Sequence, residues 1–102
     1  MHAVVNRITL REPLDHAALG SAQQDLSAMA VRIAGLAAIH VVDAGDGGLF
    51  VIVLADDEAA IERTRTELGN GWISEHVIPL AAGPPERNVG AVVVAYERSP
   101  AA

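Results

Sequence analysis

Residues 36–55 read LAAIHVVDAGDGGLFVIVLA and predict a β-hairpin at the centre of the fold. Leu36–Val42 and Leu49–Ala55 are rich in β-branched and other apolar residues, as strands are. The segment Asp43–Gly48 between them contains an Asp-Gly and a Gly-Gly pair, which supply the positive φ angles that a tight turn requires. The stretch is therefore interpreted as the second and third strands of an antiparallel sheet.

The chain before this hairpin predicts one strand and one helix. Ala3–Leu10 is rich in β-branched residues and reads as the first strand. Its even-numbered residues, Asn6 among them, share the face that we assign to the helices. Asp15 follows as a candidate N-cap, and apolar residues from Leu19 to Ile33 then recur at spacings of three and four. This spacing indicates one long helix with a single apolar face.

The chain after the hairpin predicts a second helix, an ambiguous segment and a last strand. The acidic residues 56–58 favour a helix start, and we expect that helix to end at Gly69. Apolar residues in Trp72–Leu80 have helical spacing, but Pro79 disfavours the α conformation at the residue before it. A short helix and an extended segment therefore both remain open there. Val89–Glu97 reads as the last strand.

The resulting order of elements, β-α-β-β-α-β, predicts an α+β fold of the ferredoxin-like type. Such a fold has a four-stranded antiparallel sheet with two main helices on one face. A chain of 102 residues suits one domain. We expect residues 1–98 to form that domain and residues 99–102 to be a flexible C-terminal tail.

Composition excludes several classes of function. The chain carries 13 acidic and 7 basic side chains, a net charge of −6, and its arginines are scattered singly. Nucleic acid and anionic membrane surfaces are therefore not expected partners, since both attract basic patches. The absence of cysteine excludes disulfides and thiolate nucleophiles. No apolar run approaches the length of a membrane span, and a cytoplasmic protein is expected.

Two predicted strands indicate that both faces of the sheet are covered. Leu49–Ala55 and the centre of Val89–Glu97 are apolar without the polar alternation of a strand with one wet face. The two helices cover one face only, and the chain has no further element for the other. A second copy of the chain, associated through sheet faces about a two-fold axis, would cover it. The sequence therefore predicts a homodimer.

A resemblance to a known superfamily rests on three consecutive segments. They are the stretch Glu75–Leu80, the Gly-Pro-Pro loop at residues 83–85 and the strand Val89–Glu97. Together with the order of elements, they resemble the dimeric α/β-barrel superfamily, which includes antibiotic-biosynthesis monooxygenases. The resemblance implies a dimeric α/β barrel with a pocket between sheet and helices in each subunit. It also implies a cofactor-free, monooxygenase-like enzyme acting on an apolar or aromatic small molecule.

Haem chemistry and lactone isomerisation are further activities that the resemblance implies. The haem-degrading branch uses an Asn on the first strand, a Trp in the second helical region and a His that binds iron. The residues of those types in those regions are Asn6, Trp72 and His76. They are the candidate catalytic residues, and His76 would bind the iron if haem is the cofactor. His40 is a further candidate, as a general base on the second strand.

A plainer interpretation of the same residues stays open. Trp72 could anchor a helix junction, Asn6 and His76 could be polar edge residues, and His40 could face solvent or a dimer interface. The protein would then be a non-catalytic ligand-binding or regulatory dimer. The spacing of the four histidines matches no metal motif, so no protein metal site is expected.

Overall fold

A four-stranded antiparallel sheet forms the frame of the protein in the computed structural model, which describes residues 1–98. The strands are β1 (His2–Thr9), β2 (Leu36–Asp43), β3 (Gly48–Ala55) and β4 (Glu86–Ala91), in the spatial order β2-β3-β1-β4. Every neighbouring pair is antiparallel. The α+β, ferredoxin-like fold class is therefore confirmed. Residues 99–102, the predicted tail, lie outside the described residues.

The first predicted helix is divided into two parts. His16–Leu19 forms a 3-10 turn, and helix α1 follows over Ala22–Ala30. Asp15 accepts a hydrogen bond from the backbone N–H of Ala17 at 3.0 Å, so the predicted cap is present. The break falls at Gly20 and Ser21, where glycine lowers helix propensity by about 1 kcal/mol relative to alanine.

Helix α2 (Glu58–Leu68) begins at the predicted acidic cap, and further helical turns follow it directly. Asp57 accepts a hydrogen bond from the backbone N–H of Ala60 at 2.8 Å. Beyond α2 the chain continues through a π-helical turn (Gly69–Ile73) and the short helix α3 (Ser74–His76), then a 3-10 turn at Ile78–Leu80. Of the two alternatives for residues 72–80, the helical one is correct. The α-helix ends at Gly69, as expected, but the chain continues there in further helical turns, which the sequence did not predict.

The last strand lies earlier in the chain than expected. It covers Glu86–Ala91 rather than Val89–Glu97, because its partner β1 begins at His2, which pairs with Ala91. Past that point no strand is available to pair with, and the backbone N–H of Val92 bonds to the Met1 carbonyl at 2.9 Å. Val93, Val94 and Tyr96 are consequently about nine-tenths exposed.

The main core lies between the helices and one face of the sheet. Alternate residues of β3 point into it, and these are Leu49, Val51, Val53 and Ala55. Ile61 and Leu68 of α2 pack against them. The intervening residues of β3, Phe50, Ile52 and Leu54, are half-buried and lie on the opposite face, which no helix within residues 1–98 covers.

Gly35 fixes how closely the loop before β2 approaches α2. Its φ is +83°, and a Cβ atom built there would lie 2.7 Å from the Cβ of Ala60. The neighbouring Ala34 carbonyl accepts hydrogen bonds from Nε and Nη2 of Arg63, at 3.2 and 2.9 Å. Only glycine combines this left-handed conformation with this contact.

Candidate functional site

A mostly apolar pocket of about 170 Å³ lies between the sheet and helix α2. Its walls come from β1, β3, β4, α2, the π-helical turn and Pro85 in the loop before β4. The apolar lining residues are Val4, Ile8, Val53, Ile61, Leu68 and Ile73. The volume is below the roughly 300–1,000 Å³ of pockets for drug-sized ligands, so it suits one or two fused rings.

Asn6 places an amide in this apolar wall. Along β1, the side chains of Val4, Asn6 and Ile8 point toward the helices, and the two apolar residues are 4% and 3% exposed. Asn6 itself is half-buried and lines the pocket. An amide offers both a donor and an acceptor, so Asn6 can orient one polar group of an otherwise apolar ligand. The predicted position of Asn6 on the helix-facing side of β1 is what the structure shows.

Two guanidinium groups share one carboxylate at the same pocket. Arg65 on α2 and Arg87 on β4 both line it, and Arg87 is the residue that pairs with Asn6 across the β1–β4 ladder. Glu62 contacts both, with 3.6 Å from Oε2 to Nη1 of Arg65 and 3.6 Å from Oε1 to Nη2 of Arg87. One carboxylate against two guanidiniums leaves one positive charge in excess. The site therefore favours a ligand that carries a negative oxygen.

Trp72 is part of the hydrophobic core and does not line this pocket. It is 6% exposed, and its indole N–H donates a hydrogen bond to the Ala22 carbonyl at 2.8 Å. This contact ties the π-helical turn to the start of α1, 50 residues away in the chain. Trp72 thus has the contacts expected of a residue that anchors a helix junction.

His76 packs beside Trp72, with ring centroids 5.3 Å apart, and lines a groove other than the Asn6 pocket. Its Nε2 lies 3.1 Å from Oδ2 of Asp25 and 3.8 Å from Oε2 of Glu75. Thus Trp72 and His76 are neighbours, but the structure does not bring Asn6 to them.

The arrangement does not fit a haem held by His76. An iron ligand requires an imidazole nitrogen directed at the cofactor, whereas His76 Nε2 faces two carboxylates. The 170 Å³ pocket that contains Asn6 is also small for a porphyrin.

His40 lies on the uncovered face of the sheet. It is exposed on β2 and pairs with Ile52 of β3, whose side chain is on the same face. The helices and the Asn6 pocket lie on the other side of the sheet. His40 is thus placed where the plainer interpretation put it, at a surface open to solvent or to a partner.

His16 and Asp43 form a polar contact between the 3-10 turn and the end of β2. His16 Nε2 lies 2.6 Å from Oδ2 of Asp43, and the backbone N–H of Gly45 donates to Oδ1 at 2.9 Å. The His16 hydrogen bond, followed by that from Gly45, lowers the pKa of the Asp43 carboxyl below its usual value.

We expect the His16→Gln substitution to raise the pKa of Asp43 toward its ordinary value of about 3.9. A carboxyl whose pKa is depressed on folding adds stability above its unfolded pKa, and that stability is lost as the pH falls through the folded pKa. Wild-type protein should therefore lose this contribution only below about pH 4. A ¹³C-carboxyl NMR titration of Asp43 measures the difference, and identical titration of Asp43 in both proteins would contradict the assignment.

Solved structures of other proteins share this fold over nearly the whole chain. A Nitrosomonas europaea protein of unknown function, NE2512, superposes with a TM-score of 0.74 at 18% identity, over 96% of this chain and 94% of that one. SnoaB, a cofactor-independent oxygenase from Streptomyces nogalater, gives 0.67 at 18% identity, over 95% and 97%. The ActVA-Orf6 monooxygenase of Streptomyces coelicolor, solved with nanaomycin D, gives 0.66 at 17% identity, over 96% and 92%.

These similarities confirm the resemblance at the level of the fold: the chain has the ferredoxin-like fold of the antibiotic-biosynthesis monooxygenase-like proteins. No protein-family model matches the sequence, and no curated protein matches it either. None of the helices in residues 1–98 is long and apolar enough to cross a membrane.

Proposed function

We propose that this protein is a small cofactor-independent, monooxygenase-like enzyme acting on an apolar aromatic molecule with an acidic hydroxyl group. One observation carries the proposal: the Asn6 amide stands in an apolar wall beside Arg87 and Arg65, which together leave one unbalanced positive charge. SnoaB and ActVA-Orf6, an oxygenase and a monooxygenase of the same fold, support the type of reaction.

The proposed chemistry depends on stabilisation of an ionised substrate hydroxyl in the pocket. A phenolate or enolate is electron-rich, and it can reduce dioxygen without a bound cofactor. In a monooxygenation of this kind the substrate supplies the electrons, one oxygen atom enters the product and the other leaves as water. Asn6 and Arg87 would hold the anionic oxygen through hydrogen bonds that strengthen with its charge. The apolar walls would hold the rings and exclude water from the reacting carbon.

The pocket also favours a second candidate, a non-catalytic module that binds the same kind of ligand. The residues that line the pocket all belong to the described part of the chain, residues 1–98. They include no His, Asp, Glu or Tyr that could act as a general base. Thr64 lines it as well, but its hydroxyl donates to the Ala60 carbonyl at 2.8 Å. The enzyme proposal therefore requires a substrate hydroxyl acidic enough to ionise at the working pH, stabilised by Arg87.

A homodimer is part of the proposal, with a second copy covering the free face of the sheet. Phe50, Ile52 and Leu54 of β3 form the centre of that face, and Val5 and Val42 of the flanking strands are 37% and 43% exposed. Apolar side chains grouped in this way lower their free energy by leaving water. The exposed Val93, Val94 and Tyr96, beyond β4, add apolar surface for a partner to cover.

Oxygen uptake separates the two candidates. Purified protein is treated with a chelator, mixed in air with one- and two-ring hydroxylated aromatics such as hydroquinones and naphthols, and followed with an oxygen electrode. The enzyme proposal predicts catalytic oxygen uptake above the rate without protein, with no added cofactor. Saturable binding of the same compounds without oxygen uptake would support the binding module instead.

A further inference from the structure

Three potential metal-ligating side chains meet between α1 and the short helix α3. They are Asp25, Glu75 and His76, and one ligand atom from each lies within 4.8 Å of the other two. His76 Nε2 is 3.1 Å from Asp25 Oδ2 and 3.8 Å from Glu75 Oε2. Ligands of a tetrahedral ion with bonds of about 2.0–2.2 Å lie just over 3 Å apart, so small side-chain movements bring all three into range.

The imidazole at this cluster is held in place by packing. The His76 side chain is only 20% exposed, against 52% for Asp25 and 73% for Glu75. Its ring packs against that of Trp72, with centroids 5.3 Å apart and planes tilted by 41°, and Trp72 is itself anchored by its hydrogen bond to Ala22. A metal ligand with a fixed orientation loses less freedom on binding than a mobile one.

The charge at the cluster is unbalanced. Within residues 1–98, the ion-pair partner found for either Asp25 or Glu75 is His76 alone, and Glu67 lines the same surface depression as both carboxylates. Two carboxylates beside one imidazole leave negative charge in excess whether or not the imidazole is protonated. A divalent cation bound by the three side chains would neutralise that excess.

We propose that Asp25, Glu75 and His76 form a site for a divalent transition-metal ion of the Zn²⁺ class. One imidazole nitrogen and two carboxylate oxygens suit Zn²⁺ and Co²⁺, whereas Mg²⁺ and Ca²⁺ prefer oxygen-only ligand sets. The site links α1 to α3, so the bound ion would cross-link two segments of the chain that are 50 residues apart in sequence. It lies apart from the Asn6 pocket and does not depend on the function proposed for that pocket.

The single tryptophan of the chain makes the site directly measurable. Co²⁺ bound to His76 would quench the fluorescence of Trp72, which the imidazole touches. Untagged protein is titrated with Co²⁺, then with Zn²⁺ to displace it, and with Mg²⁺ as a further competitor. We expect saturable quenching with one ion per chain, reversal by Zn²⁺, and no reversal by equal Mg²⁺. Zn²⁺ should also raise the thermal unfolding midpoint, because it binds the folded state.

Variants decide whether the three residues form the site. His76→Gln should abolish the quenching, and Asp25→Asn and Glu75→Gln, both at exposed positions, should each weaken Co²⁺ binding about tenfold or more. His16→Gln is the matched control, since it removes another histidine that pairs with a carboxylate. This variant should show the same Co²⁺ quenching as wild-type protein. Quenching that survives in His76→Gln, or that is absent from wild-type protein, would overturn the proposal. If His76→Gln does not fold, wild-type affinity in both carboxylate variants would overturn it equally.

Discussion

Asn6→Ala protein is expected to oxidise a hydroxylated aromatic substrate at least about 100-fold more slowly than wild type, because a smaller fraction of the bound substrate ionises when one hydrogen-bond donor to its oxyanion is lost. The Asn6 amide is a polar group set between Val4 and Ile8 in the pocket wall. Its removal leaves the rings of the substrate bound by the same apolar surface. The loss should therefore appear mainly in kcat, measured by oxygen uptake, with a smaller change in KM.

Asn70→Ala is the control for this substitution. It removes the same type of side chain from an exposed position that does not line the pocket, and should leave the rate unchanged. Both variants should unfold at nearly the wild-type urea concentration, which excludes misfolding as the cause. A rate for Asn6→Ala within about threefold of wild type would contradict the role of Asn6, since a transition-state donor is worth far more.

Ile52→Lys protein is expected to be monomeric at concentrations where the wild type is a dimer. Ile52 is half-buried at the centre of the free sheet face, between Val5 on β1 and His40 on β2. In a two-fold interface the substitution introduces a charge from each copy, and both would be buried without a partner. Sedimentation analysis should show the mass fall by half.

Val31→Lys is the control for the dimer prediction. Val31 follows α1, away from the sheet face, and is already 84% exposed, so an added charge there stays in water. This variant should remain a dimer. Monomeric wild-type protein at micromolar concentration, or a dimer that tolerates Ile52→Lys, would contradict the proposed interface.

The fold could be predicted where the decisive interactions are local. The Asp-Gly and Gly-Gly turn, the Asp57 cap and the alternation along β1 depend on neighbouring residues, and each is present as expected. The bounds of β4 depend on where a distant strand begins. The Val-rich segment after Ala91 has high strand propensity, but β1 provides no residues to pair with it.

The same distinction applies to the candidate site. Alternation alone places Asn6 on the helix-facing side of β1, so its position in the pocket could be predicted. The position of Arg87 could not be predicted, because the predicted last strand begins at Val89, whereas β4 begins at Glu86 and places Arg87 opposite Asn6. The contact between His76 and Asp25 joins residues 51 apart, and no spacing rule for histidines reveals a cluster completed by tertiary packing.

An NMR titration tests most directly whether the pocket beneath α2 is the ligand site. Protein labelled with ¹⁵N is titrated with 1-naphthol, and the side-chain signals of Asn6 and Arg87, which line the pocket, are compared with that of Asn88 on the other face of the sheet. We expect saturable shifts of the Asn6 amide and the Arg87 guanidinium, with Asn88 unchanged. Shifts confined to other residues, or no saturable shift at Asn6 with any hydroxylated aromatic, would contradict it.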